Sequence, residues 1–140
     1  MRDLMNNITP RVAIIPAVVS NNTAQVGEVI DTLGYDSLTF VIGTGTLADA
    51  DATFTTLVEE GDAANLSDAS AVADADLIGT EALASFDQDA DDSAFKIGYR
   101  GNKRYARLTL TPAGNGAAAP LCALAILGHP RSAPTSNPPA

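Results

Sequence analysis

The stretch Asp87-Gln88-Asp89-Ala90-Asp91-Asp92 comes nearest to a chemical site in this chain. Its carboxylates fall at positions 1, 3 and 5 of a calcium-loop pattern. The sixth position, which needs Gly for a sharp turn, is Asp92, and the twelfth, which needs a bidentate Glu, is Gly98. Two such failures leave an acidic loop, and no metal is expected. Nucleophilic catalysis needs a proton relay, and the only histidine is His129, unconstrained towards Cys122 or Ser132 by any nucleophile-elbow sequence. The single cysteine, Cys122, sits between Leu121 and Ala123 and reads as a buried small apolar residue. Carboxylate pairs for glycoside hydrolysis are available in number, but they lie in Ala-rich loops without aromatic platforms. Gly43-Thr44-Gly45 lacks the third Gly and the following Lys-Ser/Thr of a phosphate cradle and reads as a turn. The expectation is a chain with no catalytic residue and no cofactor.

Charge and composition point the same way. A length of 140 residues suits one domain. A net charge of −9 argues against a nucleic-acid partner, since phosphates need a positive face. No Lys or Arg lies between Arg11 and Lys96, yet 16 of the 17 acids do, and five of the eight bases fall between Lys96 and Arg107. Two readings fit this segregation: a solvated acidic surface, or a basic segment that meets acidic loops of its own chain or of a neighbour. Twenty-five alanines imply a thin core that gains from burial against a partner. Val12–Val19, short and broken by Pro16, is no membrane span, and no secretory leader pattern is present, so synthesis in a cytoplasm without export is expected.

The elements that would carry these residues are strands. Leu38, Phe40 and Ile42 alternate with Ser37, Thr39 and Val41 in a half-buried strand. Val12–Val19 is β-prone but limited by Pro16 to an edge or bent strand. Val26–Thr32 and Ala52–Glu60 read as further strands, and residues 61–75 as an acidic loop or a turn of helix. Phe95, Ile97 and Tyr99 share one face, as do Ala106, Leu108 and Leu110, and Gly101-Asn102 between them predicts a tight hairpin. Pro120–Leu127, the most apolar run, predicts a strand covered on both faces. Short strands, frequent turn signals and no long amphipathic helix predict an all-β domain, a single antiparallel β-sandwich or jelly-roll-like barrel, over residues 12–128. Residues 1–11 read as an N-terminal arm and 129–140 as an extended Pro-rich tail.

Several blocks in order carry a resemblance: Asp3-Leu4, Leu38-Thr39-Phe40, Leu57-Val58-Glu59, Asp76-Leu77-Ile78-Gly79-Thr80-Glu81, Lys96-Ile97-Gly98-Tyr99, Gly101-Asn102-Lys103-Arg104-Tyr105 and Leu127-Gly128-His129-Pro130-Arg131. Together they resemble capsid decoration, or cement, proteins of siphophages and prophages over nearly the whole chain. The resemblance implies a structural virion protein on the capsid exterior. It would bind the major capsid protein, most often as a homotrimer at three-fold or quasi-three-fold sites, and stabilise contacts between capsomers. Candidate contacts are Arg2, Asp3 and Arg11 in the arm, Arg100, Asn102, Lys103 and Arg104 at the turn, and His129 and Arg131 in the tail. Other readings are a virion-surface adhesion module for host carbohydrate or protein, and a minor head–tail or tail component.

Overall fold

The computed structural model describes residues 2–139; Met1 and Ala140, the outermost residues of the expected arm and tail, lie outside it. In chain order the strands are β1 (Ile8–Val19), β2 (Gln25–Val26), β3 (Ile30–Asp31), β4 (Tyr35–Thr44), β5 (Thr53–Gly61), β6 (Ser70–Ala71) and β7 (Leu77–Ile78). A single turn of helix, α1 (Glu81–Ala84), precedes β8 (Phe86–Asp87), β9 (Ala94–Tyr99), β10 (Tyr105–Ala113) and β11 (Ala119–Pro130). They form two antiparallel sheets packed face to face, a sandwich and not a closed barrel. Sheet A runs β1-β11-β4-β9-β7, and sheet B runs β2-β10-β5-β6, with β3 added to β10 and β8 to β5.

The period-two patterning sets the faces. In sheet A, Leu38, Phe40 and Ile42 stand beside Leu127, Ala125 and Ala123 of β11 and beside Tyr99, Ile97 and Phe95 of β9. Across the core, Phe54 and Val58 of β5 pack with Leu108, Leu110 and Ala106 of β10. The alanines of β11 leave space that the larger residues of sheet B fill.

Three sequence expectations change. The Gly101-Asn102 turn does not make a hairpin, because β9 belongs to sheet A and β10 to sheet B. Residues 100–104 carry the chain from one sheet to the other. Alternation reveals which face a strand buries and says nothing about which neighbour it pairs with. Next, β11 is covered on one face only: Leu124 is exposed, while Cys122 and Ile126 are half-buried on the outer side. Finally, Val26–Thr32 is two short strands. Gly27 N donates to Leu108 O of β10 (2.9 Å) and Glu28 N to Ala13 O of β1 (2.7 Å), so this segment straps the two sheets together along one side.

Edges are managed locally. As expected, β1 is an edge strand and is bent, with register irregularities between Val12 and Ile14 and between Ile14 and Ala17. Strand β1 begins at Ile8 and β11 ends at Pro130, so residues 8–11 and 129–130 belong to the sheet and not to arm or tail. The free edge of β5 between β6 and β8 is closed by α1. Val58 N donates to Glu81 Oε1 (2.7 Å), Thr56 N to Ser85 Oγ (2.9 Å) and Thr56 Oγ1 to Ala84 O (2.8 Å). The Thr80 hydroxyl caps that turn through Leu83 N (3.1 Å).

Gly27 is where the strap tolerates no side chain: a Cβ would lie 2.3 Å from Leu108 O and 2.6 Å from Ala13 O, both backbone atoms. Gly27→Ala is therefore expected to destabilise the fold by about 2–3 kcal/mol, measured as a lowered urea midpoint. An unchanged midpoint would show that the strap does not hold the sheets.

Candidate interaction surface

The residues singled out from the sequence gather at one end of the sandwich. Ile8 pairs with Gly128, Leu127 with Leu38, and Leu38 with Tyr99, so the start of β1, the end of β11 and the crossover loop 100–104 lie at the same end. The arm and the tail are joined there. Thr135 N donates to Asn6 O (3.0 Å) and Thr135 Oγ1 to Ile8 O (2.7 Å), while Arg131 N donates to Gly34 O (2.9 Å). Arg2, Asp3, Arg100, Asn102, Lys103, Arg104, His129 and Arg131 all belong to this end. Arg11 stands apart, on the inward face of edge strand β1 opposite Ala125.

Most of the basic side chains here are occupied by acids of the same chain. Arg104 makes a two-pronged contact with Asp31 (both 2.8 Å), Lys103 pairs with Asp62 (2.5 Å) and Arg131 with Asp36 (3.2 Å). On the outer face of sheet B, Arg107 meets its cross-strand partner Glu59 at 2.7 Å. Arg100 Nε donates to Ala75 O (3.0 Å). The second reading of the charge segregation thus holds within the chain: the basic segment meets its own acidic loops. Solvent screening leaves exposed pairs of this kind little weight in stability, so their main effect is to fix loop positions. His129, with a left-handed φ of 49°, exchanges a hydrogen bond with Ser37 Oγ through Nδ1 (2.9 Å). Asp3 accepts from the Asn6 side chain and amide, which order the arm and lower its pKa.

Sequence reasoning missed two features of this end. One is apolar: Leu4, Met5 and Leu33 are 58–64% exposed beside the charged groups. The other is the tie beneath the crossover. The Tyr99 hydroxyl donates to Glu60 Oε2 (2.5 Å) and accepts from Lys103 N (3.0 Å). Burial, and then Glu60, push the Tyr99 pKa well above its ordinary value, so the phenol remains a donor.

The opposite end has a different character. Loops 45–52, 87–93 and 113–118 contain Asp49, Asp51, Asp87, Asp89, Asp91 and Asp92 and no Lys or Arg. The acidic loop reads as a structural one: Asp91 Oδ1 accepts from Leu47 N (2.7 Å), and Asp87 Oδ1 from Asp89 N (3.0 Å). Among the described residues no group of three His, Cys, Asp or Glu side chains is placed to hold a metal ion. A third surface is the outer face of sheet A, where Val12, Val18 and Leu124 are exposed next to Pro120, Cys122 and Ile126, with Ile15 exposed on the bent edge strand.

Arg104 holds the Asp31 carboxyl below its usual value of 3.8 against the opposing effect of desolvation, and the Leu33 amide adds to the lowering. A carboxyl lowered in the folded state stabilises fully above its unfolded value and loses that contribution as pH falls through the folded one. Arg104→Ala is expected to return the Asp31 pKa towards 3.8 in an NMR titration and to flatten the loss of stability below about pH 3.8. Superimposable titrations in the two proteins would remove this pair from the account.

No family model matches the chain, and no curated protein matches it. Solved structures share its fold. PBSX exported protein XepA superposes with a TM-score of 0.54 at 14% identity, over 86% of this chain and 37% of that one. A chain from the structure of infectious bursal disease virus Gx strain superposes with a TM-score of 0.51 at 12% identity, over 87% and 32%. The chain therefore spans about a third of the length of either match. At these identities the likeness is one of fold: this chain is built on a β-sandwich that also occurs in a virus.

Proposed function

We propose that this protein is a structural virion component, a decoration or cement protein that seats its arm-and-tail end on the outside of a phage capsid. The observation that carries the reading is the convergence of arm, crossover loop and tail on one end of a firmly tied sandwich. That end mixes three exposed apolar side chains with paired charges, while the loops of the far end carry acids and no Lys or Arg. Mixed surfaces of this kind suit docking onto protein, because apolar side chains supply burial and paired charges supply register. The sequence blocks that resemble decoration proteins, and a fold shared with a virus chain, support the same reading. Binding only to the assembled shell of the major capsid protein would stabilise that shell by mass action. The proposal assigns the chain no catalytic step.

Assembly as a homotrimer is part of this proposal, with the outer face of sheet A as the contact between copies. Chains of net charge −9 repel one another, so like copies meet most readily across a face without carboxylates, and the outer face of sheet A presents only Lys96 of β9 as a charge. Residues 119–127 of β11 carry no charge, and the adjoining stretch of β1 carries only Arg11. Leu124→Asp places a charge at the centre of that face, where 41% of Leu124 is exposed and little internal packing is lost. The variant is expected to stay folded and to sediment as a monomer where the parent is a trimer; a parent that is itself monomeric at micromolar concentration refutes this part alone.

The capsid reading is tested by adding purified protein to undecorated mature heads and to unexpanded precursor shells. Saturable binding to mature heads, together with a higher disruption temperature, is expected. Removal of residues 1–7, or of 131–140, should weaken binding at least about tenfold, a loss of about 1.4 kcal/mol, without unfolding β1 or β11. No binding to either shell, or binding without stabilisation, overturns the reading.

A further inference from the structure

At the acidic end the two sheets part along the seam between β9 and β8, and an aromatic column fills the gap. The Phe54 and Phe86 rings stack with centroids 4.8 Å apart and planes 17° from parallel; Phe86 and Phe95 stack at 5.1 Å and 11°. Phe54 and Phe86 come from sheet B and Phe95 from sheet A, so the column bridges the layers. Phe54 and Phe86 are buried, whereas Phe95, the terminal ring, is only half-buried. Beside the column lies an open cavity of about 600 Å³ whose lining includes Phe95, the hydroxyls of Thr53, Thr55 and Ser93, and the carboxylates of Asp87 and Asp89. It is shallow and broadly open to solvent.

The polar groups of the lining have bonding capacity to spare. Asp87 uses one carboxylate oxygen to hold the Asp89 amide, and among the described residues neither the Asp89 carboxylate nor the Thr53 and Thr55 hydroxyls have an internal hydrogen-bond partner. An aromatic surface beside convergent acceptors and hydroxyls matches a ligand that is apolar on one face and rich in O–H donors at its rim. Sugar rings have that character. Charge narrows the class: the lining carries two carboxylates and no cation, and Asp91 and Asp92 follow in the same loop. Anionic sugars, phosphates and nucleic acids are repelled, whereas neutral hydroxyls donate well to carboxylates.

The geometry points to a binding site for neutral hexose units of a glycan in this cavity, with Phe95 as the apolar platform and Asp87 and Asp89 as hydroxyl acceptors. Sequence reasoning set glycoside hydrolysis aside because the acidic loops lacked aromatic neighbours, and kept carbohydrate adhesion only as another reading; folding supplies the aromatics from residues 54, 86 and 95. The site is independent of the capsid reading. If the arm-and-tail end faces a shell, the cavity faces outward.

The test uses the full chain with two neutral probes, maltohexaose and cellohexaose, and one anionic probe, oligogalacturonate. Amide NMR shifts on titration should cluster at residues 53–55, 85–89 and 93–95 for at least one neutral probe, with a Kd of about 1 mM or tighter. Oligogalacturonate should leave them unmoved. Phe95→Ala should weaken neutral binding at least about tenfold. Asp89→Asn, in an exposed loop where misfolding is not at issue, should weaken it measurably with every distant resonance unchanged. Absence of shifts with both neutral probes at roughly ten times that concentration, shifts elsewhere, equal binding of the anionic probe, or undiminished binding in both variants would overturn the inference. Because the free protein is titrated, these results are separate from those of the capsid-binding assay.

Discussion

The hydrogen bond from the Tyr99 hydroxyl on β9 to Glu60 on β5 joins the two layers at the point where the chain crosses between them. Tyr99 is the last residue of sheet A before the crossover, and Tyr105 opens sheet B on the other side. The five intervening residues must turn within the thickness of the sandwich, and Lys103 N, bonded to the same hydroxyl, holds the loop against the end of the core. Gly101 lies so close to the Tyr99 ring and the Glu60 carboxylate that a Cβ would sit 2.5–2.6 Å from both. Because burial and Glu60 keep the phenol protonated, the tie remains a donor–acceptor pair and does not become a repulsion.

The crossover distributes the basic cluster over three surfaces. Lys96 faces outward from sheet A, Arg107 lies on the outer face of sheet B against Glu59, and Arg100, Lys103 and Arg104 occupy the end. Each of these last three finds an oxygen of the acidic region: Ala75 O, Asp62 and Asp31. The acids at this end are thereby partly neutralised, while those of loops 45–52 and 87–93 are not. A chain whose sequence is merely acidic becomes a body with a mixed end and a negative end. That polarity orients the proposed docking and selects the kind of ligand the aromatic cavity can accept.

The small residues of β11 shape the rest. Ala119, Ala123 and Ala125 face inward and allow Phe40, Ile97 and the leucines of β10 to fill a shallow core. On the outward side the same strand presents Pro120, Cys122, Leu124 and Ile126. Cys122, expected in the core, lies half-buried on that outer face as a free thiol. A strand this apolar need not be enclosed by its own chain, and the uncovered face is the surface assigned here to a second copy.

Much of the architecture was legible from alternation alone. Leu38, Phe40 and Ile42, then Phe95, Ile97 and Tyr99, then Ala106, Leu108 and Leu110 face inward as their period of two requires, since backbone geometry sends successive side chains to opposite sides. Pro16 marked β1 as an edge or bent strand because it has no N–H to give a ladder, and it falls in the register irregularity between Ile14 and Ala17. Partnership was not legible. Whether β9 pairs with β10 or with β4 depends on long-range packing that a Gly-Asn turn between alternating strands does not encode, and Ser85, Glu81 and Ala84 became partners of β5 only through tertiary position. Phe54, Phe86 and Phe95 are scattered along the chain and meet only where the two sheets part. By itself, then, the sequence determined strand faces, total charge and the segments that lack periodicity, all of them local or additive properties. The tertiary structure alone decided which opposite charges meet and where aromatic rings gather, because those follow from distances between residues far apart in the chain.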